Sequence, residues 1–357
     1  MIISRTPFRI SFFGGGTDYP AWYRTHGGAV LGATINKYCY ITCRYLPPFF
    51  EHRLRVVYSH IENCQEVSEI KHPAVREVLR HLRIDRGVEI HHDGDLPARG
   101  GLGTSSAFTV GLLNALYALK GHMASKQQLA AESIRLEQDV MRETVGSQDQ
   151  ALAAYGGLNH ITFGVNDEFT VRPLTLSRER VQALNDHVML FFTGILRTAS
   201  GIADTYVNNL QQNAERMHAI SRMVEEGMGI LQDGGDLDRF GMLLHEAWQA
   251  KRALGSKISN EQVEEMYSEA RVAGALGGKL TGAGGGGFLL LFVPPRHQER
   301  VRERLHKMIH VPVRIEFSGS QIVFFEPEEE YLAEERRRAL FEAPIFKEIS
   351  ALGLGLE

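Results

Sequence analysis

The sequence predicts an α+β chain of two domains, residues 1–185 and 186–357. Three observations point there. The early segments alternate apolar and polar side chains and are rich in β-branched and aromatic residues, which is the period of half-buried strands. Later segments carry apolar residues at helical spacing, with strands returning singly between them. The length of 357 residues exceeds what a single core ordinarily serves, and the charged stretch Ser177-Arg178-Glu179-Arg180 marks the boundary as a connection before the next strand.

Residues 2–13 and 28–45 read as strands around the turn Gly14-Gly15-Gly16, and residues 53–58 and 87–91 add two more. Helices follow at 106–119, 126–142 and 149–154. In the second of these, Leu129, Ile134, Leu136 and Val140 form the apolar stripe. Strands at 158–163 and 187–193 come next, then helices over about 199–226, 237–254 and 260–273. A glycine cluster from Gly277 to Gly287 precedes the strand 288–293, and the charge-dense tail 328–338 reads as a solvated terminal helix.

Composition narrows the function classes. Hydrophobic content of 43%, charged content of 23% and a net charge of -4 describe a globular chain with no basic face for nucleic acid or an anionic membrane. No apolar run reaches the roughly 20 residues of a membrane span. Three cysteines, Cys39, Cys43 and Cys64, lack the paired spacing of a zinc site and fit a reducing compartment. With no basic, then apolar, leader at the start, a cytoplasmic protein is expected. His91-His92-Asp93 lacks further spaced ligands and reads as a polar strand end rather than a metal site.

The chemistry begins at Pro97, Gly100, Gly101, Leu102, Gly103, Thr104, Ser105 and Ser106, a glycine-rich turn running into hydroxyl residues between a strand and a helix. Glycines let the backbone approach a ligand closely, and the hydroxyls stand where helix N-caps stand. Free amide N–H groups and the positive end of the helix dipole therefore face one spot, a cradle for the phosphates of a nucleotide. No lysine follows, as a Walker A loop requires, and the glycine spacing is not that of a dinucleotide fold.

Other segments supply charge. Arg9 lies on a strand and Asp18 just past the turn that contains Gly15, Gly16 and Thr17, so both can face a cleft; a surface pair and a turn aspartate are the alternative. Phosphoryl transfer needs a hard cation, an acidic ligand for it, and a group to orient or deprotonate the attacking hydroxyl. Glu137 with Ser105 can hold the cation, and Asp149, where Gly146–Gln150 breaks and restarts a helix, can serve the hydroxyl. Taken alone, Glu137 also reads as an exposed helix charge and Asp149 as a carboxylate drawn to a helix start. The late glycine cluster is framed too tightly for a linker and suits packing against the first glycine loop.

These segments, in this order, resemble the galactokinase, homoserine kinase, mevalonate kinase and phosphomevalonate kinase superfamily, the GHMP kinases, over essentially the whole chain. The family's Pro-x-x-x-Gly-Leu-Gly-Ser-Ser appears as Pro97 to Ser105 without insertion, and Lys279–Gly287 matches its C-terminal glycine motif. The resemblance implies an N-terminal ribosomal-protein-S5-like ATP-binding domain and a C-terminal ferredoxin-like α+β domain. It implies ATP and Mg2+ as cofactors, Asp149 as the catalytic carboxylate, Glu137 and Ser105 as metal ligands, and Gly101 to Ser106 around the ATP phosphates. Thr104 stands where the family has a first serine, which leaves open which of Thr104, Ser105 and Ser106 ligates the metal. Arg9 falls beside the catalytic aspartate in sugar kinases of the family, and Asp18 where they bind sugar, with Gly15, Gly16, Thr17, Gly282 and Gly284 lining the substrate. Gly15-Gly16 replaces the Glu-His of galactokinases, which argues against galactose.

Within the family, the segments Phe8–Asp18, Gly103–Phe108, Thr193–Arg197 and His245–Arg252 resemble the D-glycero-D-manno-heptose 7-phosphate kinases. That implies phosphorylation of an anomeric hydroxyl, in the synthesis of nucleotide-activated heptose for bacterial surface polysaccharide. An acceptor with its own phosphate needs a second anion site, for which Arg197, Lys251 and Arg252 are candidates. Fucose, glucuronate and N-acetylhexosamine 1-kinases are the alternatives, as is a non-catalytic nucleotide or sugar sensor. The expected partners are a small sugar phosphate and ATP, with a homodimer compatible.

Overall fold

The computed structural model describes residues 1–98, 100–195, 203, 207, 209–327 and 331–340. The expected alternation delivers a nine-stranded sheet. Its spine is β1 (Ile2–Phe13) against β2 (Gly28–Tyr45), antiparallel, with Arg9 opposite Thr34. β2 is long enough to serve several neighbours on its other edge. Its second half pairs with β5 (Val88–Gly94) and its first half with β6 (Leu158–Phe163). Short strands β3 (Leu54–Val57), β4 (Ile61–Cys64) and β7 (Phe169–Pro173) extend the two arms, β3 running parallel to β5.

The helix that follows the glycine turn, Thr104–Leu119, is apolar on all sides, and every residue from Ser106 to Leu116 is buried. A helix of that kind belongs in a core. It packs on β1 and β2, while on the far side Phe240, from the helix Asp238–Arg252, meets Phe12 and Phe13 edge-on at 5.3 and 5.0 Å. The phosphate turn is thereby fixed between two packed layers.

A second sheet holds four antiparallel strands in the order β11 (Ile309–Val311), β8 (Val188–Phe192), β10 (Phe288–Phe292), β9 (Gly277–Leu280). β10 is buried along its whole length, as an unbroken Phe-Leu-Leu-Leu-Phe run requires. The chain then returns to the first sheet: β12 (Ile315–Glu316) pairs with β2, and β13 (Gln321–Phe325) with β1. Residues 1–185 and 186–357 therefore do not map one to one onto the two sheets.

Two local expectations are corrected. Ser177-Arg178-Glu179-Arg180 is not a connection but the start of a helix, Arg178–His187, in which the Ser177 hydroxyl accepts from the Arg180 amide at 3.2 Å. The single helix expected over 126–142 ends at Arg135 and passes into a π-helical turn, Leu136–Val140. Such widened turns recur at functional sites, and this one carries Glu137. The three cysteines are buried, and among the described residues no helix is long and apolar enough to cross a membrane.

Candidate active site

Arg9 lies on the buried half of β1, and its amide donates to the Leu102 carbonyl at 3.0 Å, which ties the strand to the glycine turn. Its guanidinium forks onto Asp149: Nε to Oδ1 at 2.7 Å and Nη2 to Oδ2 at 2.6 Å. Nη1 donates to the Gly101 carbonyl at 2.7 Å. Asp149 sits in the first turn of the helix Gln148–Tyr155, where the dipole favours a carboxylate. One arginine thus binds the carboxylate and the phosphate turn together.

The turn itself can lie this close only as glycine. Gly103 has φ +70°, and a Cβ there would come within 3.0 Å of Arg9 Cγ and 3.4 Å of Asp149 Oδ2. The late glycine cluster closes the turn from outside: the Phe288 amide and the Thr281 hydroxyl both donate to the Gly100 carbonyl, at 3.1 and 3.2 Å. A Cβ on Gly282 would lie 2.7 Å from Gly101 Cα, and one on Gly284 2.5 Å from the Ile258 carbonyl. Backbone fills the space that side chains would need.

Of the three hydroxyl residues, none caps the helix. Gly103, in the left-handed conformation, is the N-cap, so Thr104, Ser105 and Ser106 form the first turn itself. The hydroxyl that meets Glu137 directly is that of Ser106. Ser106 is buried and donates to Glu137 Oε2 at 2.8 Å, Gln150 Nε2 donates to the same oxygen at 2.5 Å, and Ser105 is exposed. Glu137 is wholly buried, not the exposed helix charge it could have been, and burial pushes its carboxyl up to about 7. Its Oε1 has no partner among the described residues. A buried carboxylate oxygen without a donor, on a residue bonded to Ser106 next to the exposed Ser105 at a phosphate cradle, fits a hard divalent cation. Among the described residues no cluster of three or more His, Cys, Asp or Glu is arranged for a metal, His91-His92-Asp93 included.

Asp18 is buried, and its oxygens are engaged within the protein. Oδ1 accepts from the Gly16 amide at 2.9 Å and Oδ2 from Gln148 Nε2 at 2.8 Å. Burial raises its pKa, and nearby Asp149 adds to the rise. Its backbone carbonyl also accepts from the Ser147 amide at 2.9 Å, so Asp18 pins the start of the helix that bears Asp149. Thr17 is likewise committed, its hydroxyl 2.8 Å from both the Gly14 and Ala29 carbonyls. Lys251 reaches in from the helix Asp238–Arg252; its buried ammonium donates to the Gly282 carbonyl at 2.5 Å. Arg252 instead pairs with Glu264 and Gln249, and Arg197 lies outside the described residues.

A family model for the N-terminal domain of GHMP kinases matches residues 69–157, and the model for their C-terminal domain matches residues 223–310. The chain belongs to the GHMP kinases. Its relatives include the D-glycero-alpha-D-manno-heptose 7-phosphate kinase of Campylobacter jejuni, 28% identical over 86% of this chain and 93% of that one. Another is the bifunctional fucokinase/GDP-fucose pyrophosphorylase of Arabidopsis thaliana, 26% identical over 87% of this chain but only 31% of that one. Among solved structures, a D-glycero-D-manno-heptose 1-phosphate kinase from Bacteroides thetaiotaomicron superposes with a TM-score of 0.75 at 25% identity, covering 91% of this chain and all of that one.

This GHMP kinase is accordingly a phosphotransferase, and kinases of the family take ATP as donor. The first matched segment holds the phosphate turn, Glu137 and Asp149; the second holds Lys251, Gly282 and Gly284. Four side chains at the site were not read from the sequence. Ser11, Gln148 and Gln150 flank Arg9 or Asp149, and Lys279 is buried with its ammonium 3.1 Å from the Phe12 carbonyl. The Gln-Asp-Gln triplet at 148–150 was the available signal, since uncharged amides on both sides of an active carboxylate orient neighbours without adding charge.

Proposed function

We propose that this kinase transfers the γ-phosphoryl group of ATP to the anomeric hydroxyl of D-glycero-D-manno-heptose 7-phosphate, forming the 1,7-bisphosphate for nucleotide-activated heptose and surface polysaccharide synthesis. The observation that carries the reading is the Arg9–Asp149 fork set against the carbonyl of Gly101 in the phosphate turn. In this reading Asp149 orients the acceptor hydroxyl and takes its proton, while the fork holds the carboxylate in one rotamer. Arg9 and the amide groups at the start of Thr104–Leu119 offset the charge that spreads over the transferring group. Glu137 Oε1, with Ser105 or Ser106, would hold Mg2+, which supplies charge neutralisation at the phosphate oxygens.

The acceptor is argued from likeness and charge. Two heptose phosphate kinases stand among the relatives. Lys251, buried beside Asp18 and Asp149, places a cationic donor at the acceptor side of the site. The fucokinase relatives, 26% identical over most of this chain, favour a second reading with free fucose as acceptor. ADP release with ATP, Mg2+ and heptose 7-phosphate, set against fucose, glucuronate and N-acetylhexosamines, separates them. Turnover of the heptose phosphate above all others is expected. Preference for fucose reassigns the acceptor, and no ADP with any sugar makes the protein a sensor.

A further inference from the structure

Around Gly15, polar groups from three separate elements converge where no side chain intrudes. A Cβ on Gly15 would lie 3.8 Å from Ser11 Oγ, 3.9 Å from Gln148 Nε2 and 3.9 Å from Lys251 Nζ, with no atom nearer. Ser11 comes from β1, Gln148 from the helix bearing Asp149, and Lys251 from the helix Asp238–Arg252. Ser11 and Gln148 are each only 7% exposed, yet Ser11 Oγ and Gln148 Oε1 have no partner among the described residues. An orphaned buried polar atom destabilises a fold unless something else supplies its hydrogen bond.

Asp18 explains which way the amide faces. An ionised carboxylate only accepts, so its contact with Gln148 selects the NH2 group and turns the carbonyl oxygen away. With its oxygens already taken by Gly16 and Gln148, Asp18 acts through Gln148 as a positioning residue. Facing Gly15 are the Gln148 amide nitrogen, a hydroxyl at Ser11 that can donate or accept, and a cationic donor at Lys251, with the same amide's Oε1 left without a partner among the described residues. A phosphate would be repelled by Asp18 and Asp149, the carboxylates whose charges reach Lys251. A sugar hydroxyl, which donates to Oε1 while accepting from Nζ or Oγ, satisfies all three.

We infer that Gln148, Ser11 and Lys251 form a hydroxyl-reading subsite that recognises the acceptor hydroxyl on the carbon next to the phosphorylated one. Lys251 feels the charge of Asp149 as well as that of Asp18, which sets the subsite beside the hydroxyl that Asp149 serves. The inference rests on the sugar-kinase reading above and goes beyond it by naming which acceptor group is sensed.

The test pairs substrate and enzyme changes. Gln148→Met removes the amide at similar volume, and Ser11→Ala removes the hydroxyl; thermal melting checks that both fold. The wild type is expected to prefer the accepted sugar over its 2-deoxy analogue by roughly tenfold or more in kcat/KM, and Gln148→Met to lose that preference with the KM for ATP unchanged. A Gln148→Met enzyme that keeps the full preference overturns the inference. If the wild type turns over fucose rather than heptose 7-phosphate, the proposed acceptor fails while the comparison runs unchanged with 2-deoxyfucose. If no sugar turns over, calorimetric binding of heptose 7-phosphate and fucose decides: weaker binding to Gln148→Met supports the subsite, and equal binding, or none to the wild type, overturns it.

Discussion

Arg9 and Asp149, 140 residues apart in the chain, meet through two parallel N–H···O contacts of 2.7 and 2.6 Å. The geometry is the planar fork that only a guanidinium offers a carboxylate. Because the third nitrogen holds the Gly101 carbonyl, the pair couples the proposed catalytic carboxylate to the phosphate turn.

Arg9→Lys keeps the charge and loses the fork. One ammonium cannot meet both oxygens of Asp149 and the Gly101 carbonyl in the same plane. A fall in kcat on the order of a hundredfold is expected, with the fold retained. Steady-state kinetics alongside circular dichroism check this; a lysine variant within a few-fold of wild type would show that charge alone suffices.

Gly101 and Gly121 share a left-handed φ, +78° and +70°, but not their surroundings. A Cβ at Gly101 would lie 2.5 Å from the Thr281 carbonyl, whereas one at Gly121 meets nothing within 4 Å. Gly121→Ala should cost about 1 kcal/mol, the price of the conformation alone. Gly101→Ala should cost about 2 kcal/mol or more and weaken ATP binding, because two backbones must move apart. Denaturant titration of the two variants measures the difference.

Lys251 carries the pH dependence. Burial lowers its pKa to about 8, against the pull of Asp18. The folded value lies below the unfolded one of about 10.4, so the folded state binds fewer protons between them. The burial penalty is therefore present in full below about pH 8 and is relieved as the pH climbs towards 10. Lys251→Met should be more stable than wild type near pH 7, by at most roughly 3 kcal/mol, with the gap closing towards pH 10. The acceptor KM of the wild type should also rise above about pH 8 as the ammonium is lost. A stability gap that stays constant with pH would remove Lys251 from this account.

Glu137→Gln tests the cation. The amide keeps the shape and loses the charge that Oε1 would bring to Mg2+. Half-saturating Mg2+ is expected to rise roughly tenfold or more at fixed ATP. An unchanged titration would count against the ligand role.

The sequence was most legible where one period ran unbroken. The strand read at 158–163 is found at Leu158–Phe163, and the helix read at 260–273 differs only in that Asn260 is its cap, accepting from the Val263 amide. Ser177-Arg178-Glu179-Arg180 misled because its charges resemble a connection, while the helix they open buries only Leu184. Short strands such as β12 and β13 exist through pairing with distant partners, which no local pattern records. At the site, residue types pointed to Arg9, Asp149 and Glu137, and the glycines to a cradle. That Asp18 spends its oxygens on Gly16 and Gln148, or that Glu137 meets Ser106 rather than Ser105, depends on side-chain directions across contacts remote in sequence.

The central claim is that Asp149 serves the acceptor hydroxyl, and Asp149→Asn tests it most directly. The variant preserves size and can still face Arg9 through its amide oxygen, but it cannot take a proton. With folding and ATP affinity verified, ADP formation in the presence of acceptor should fall by about 10²- to 10⁴-fold. Turnover within a few-fold of the wild type would contradict the account.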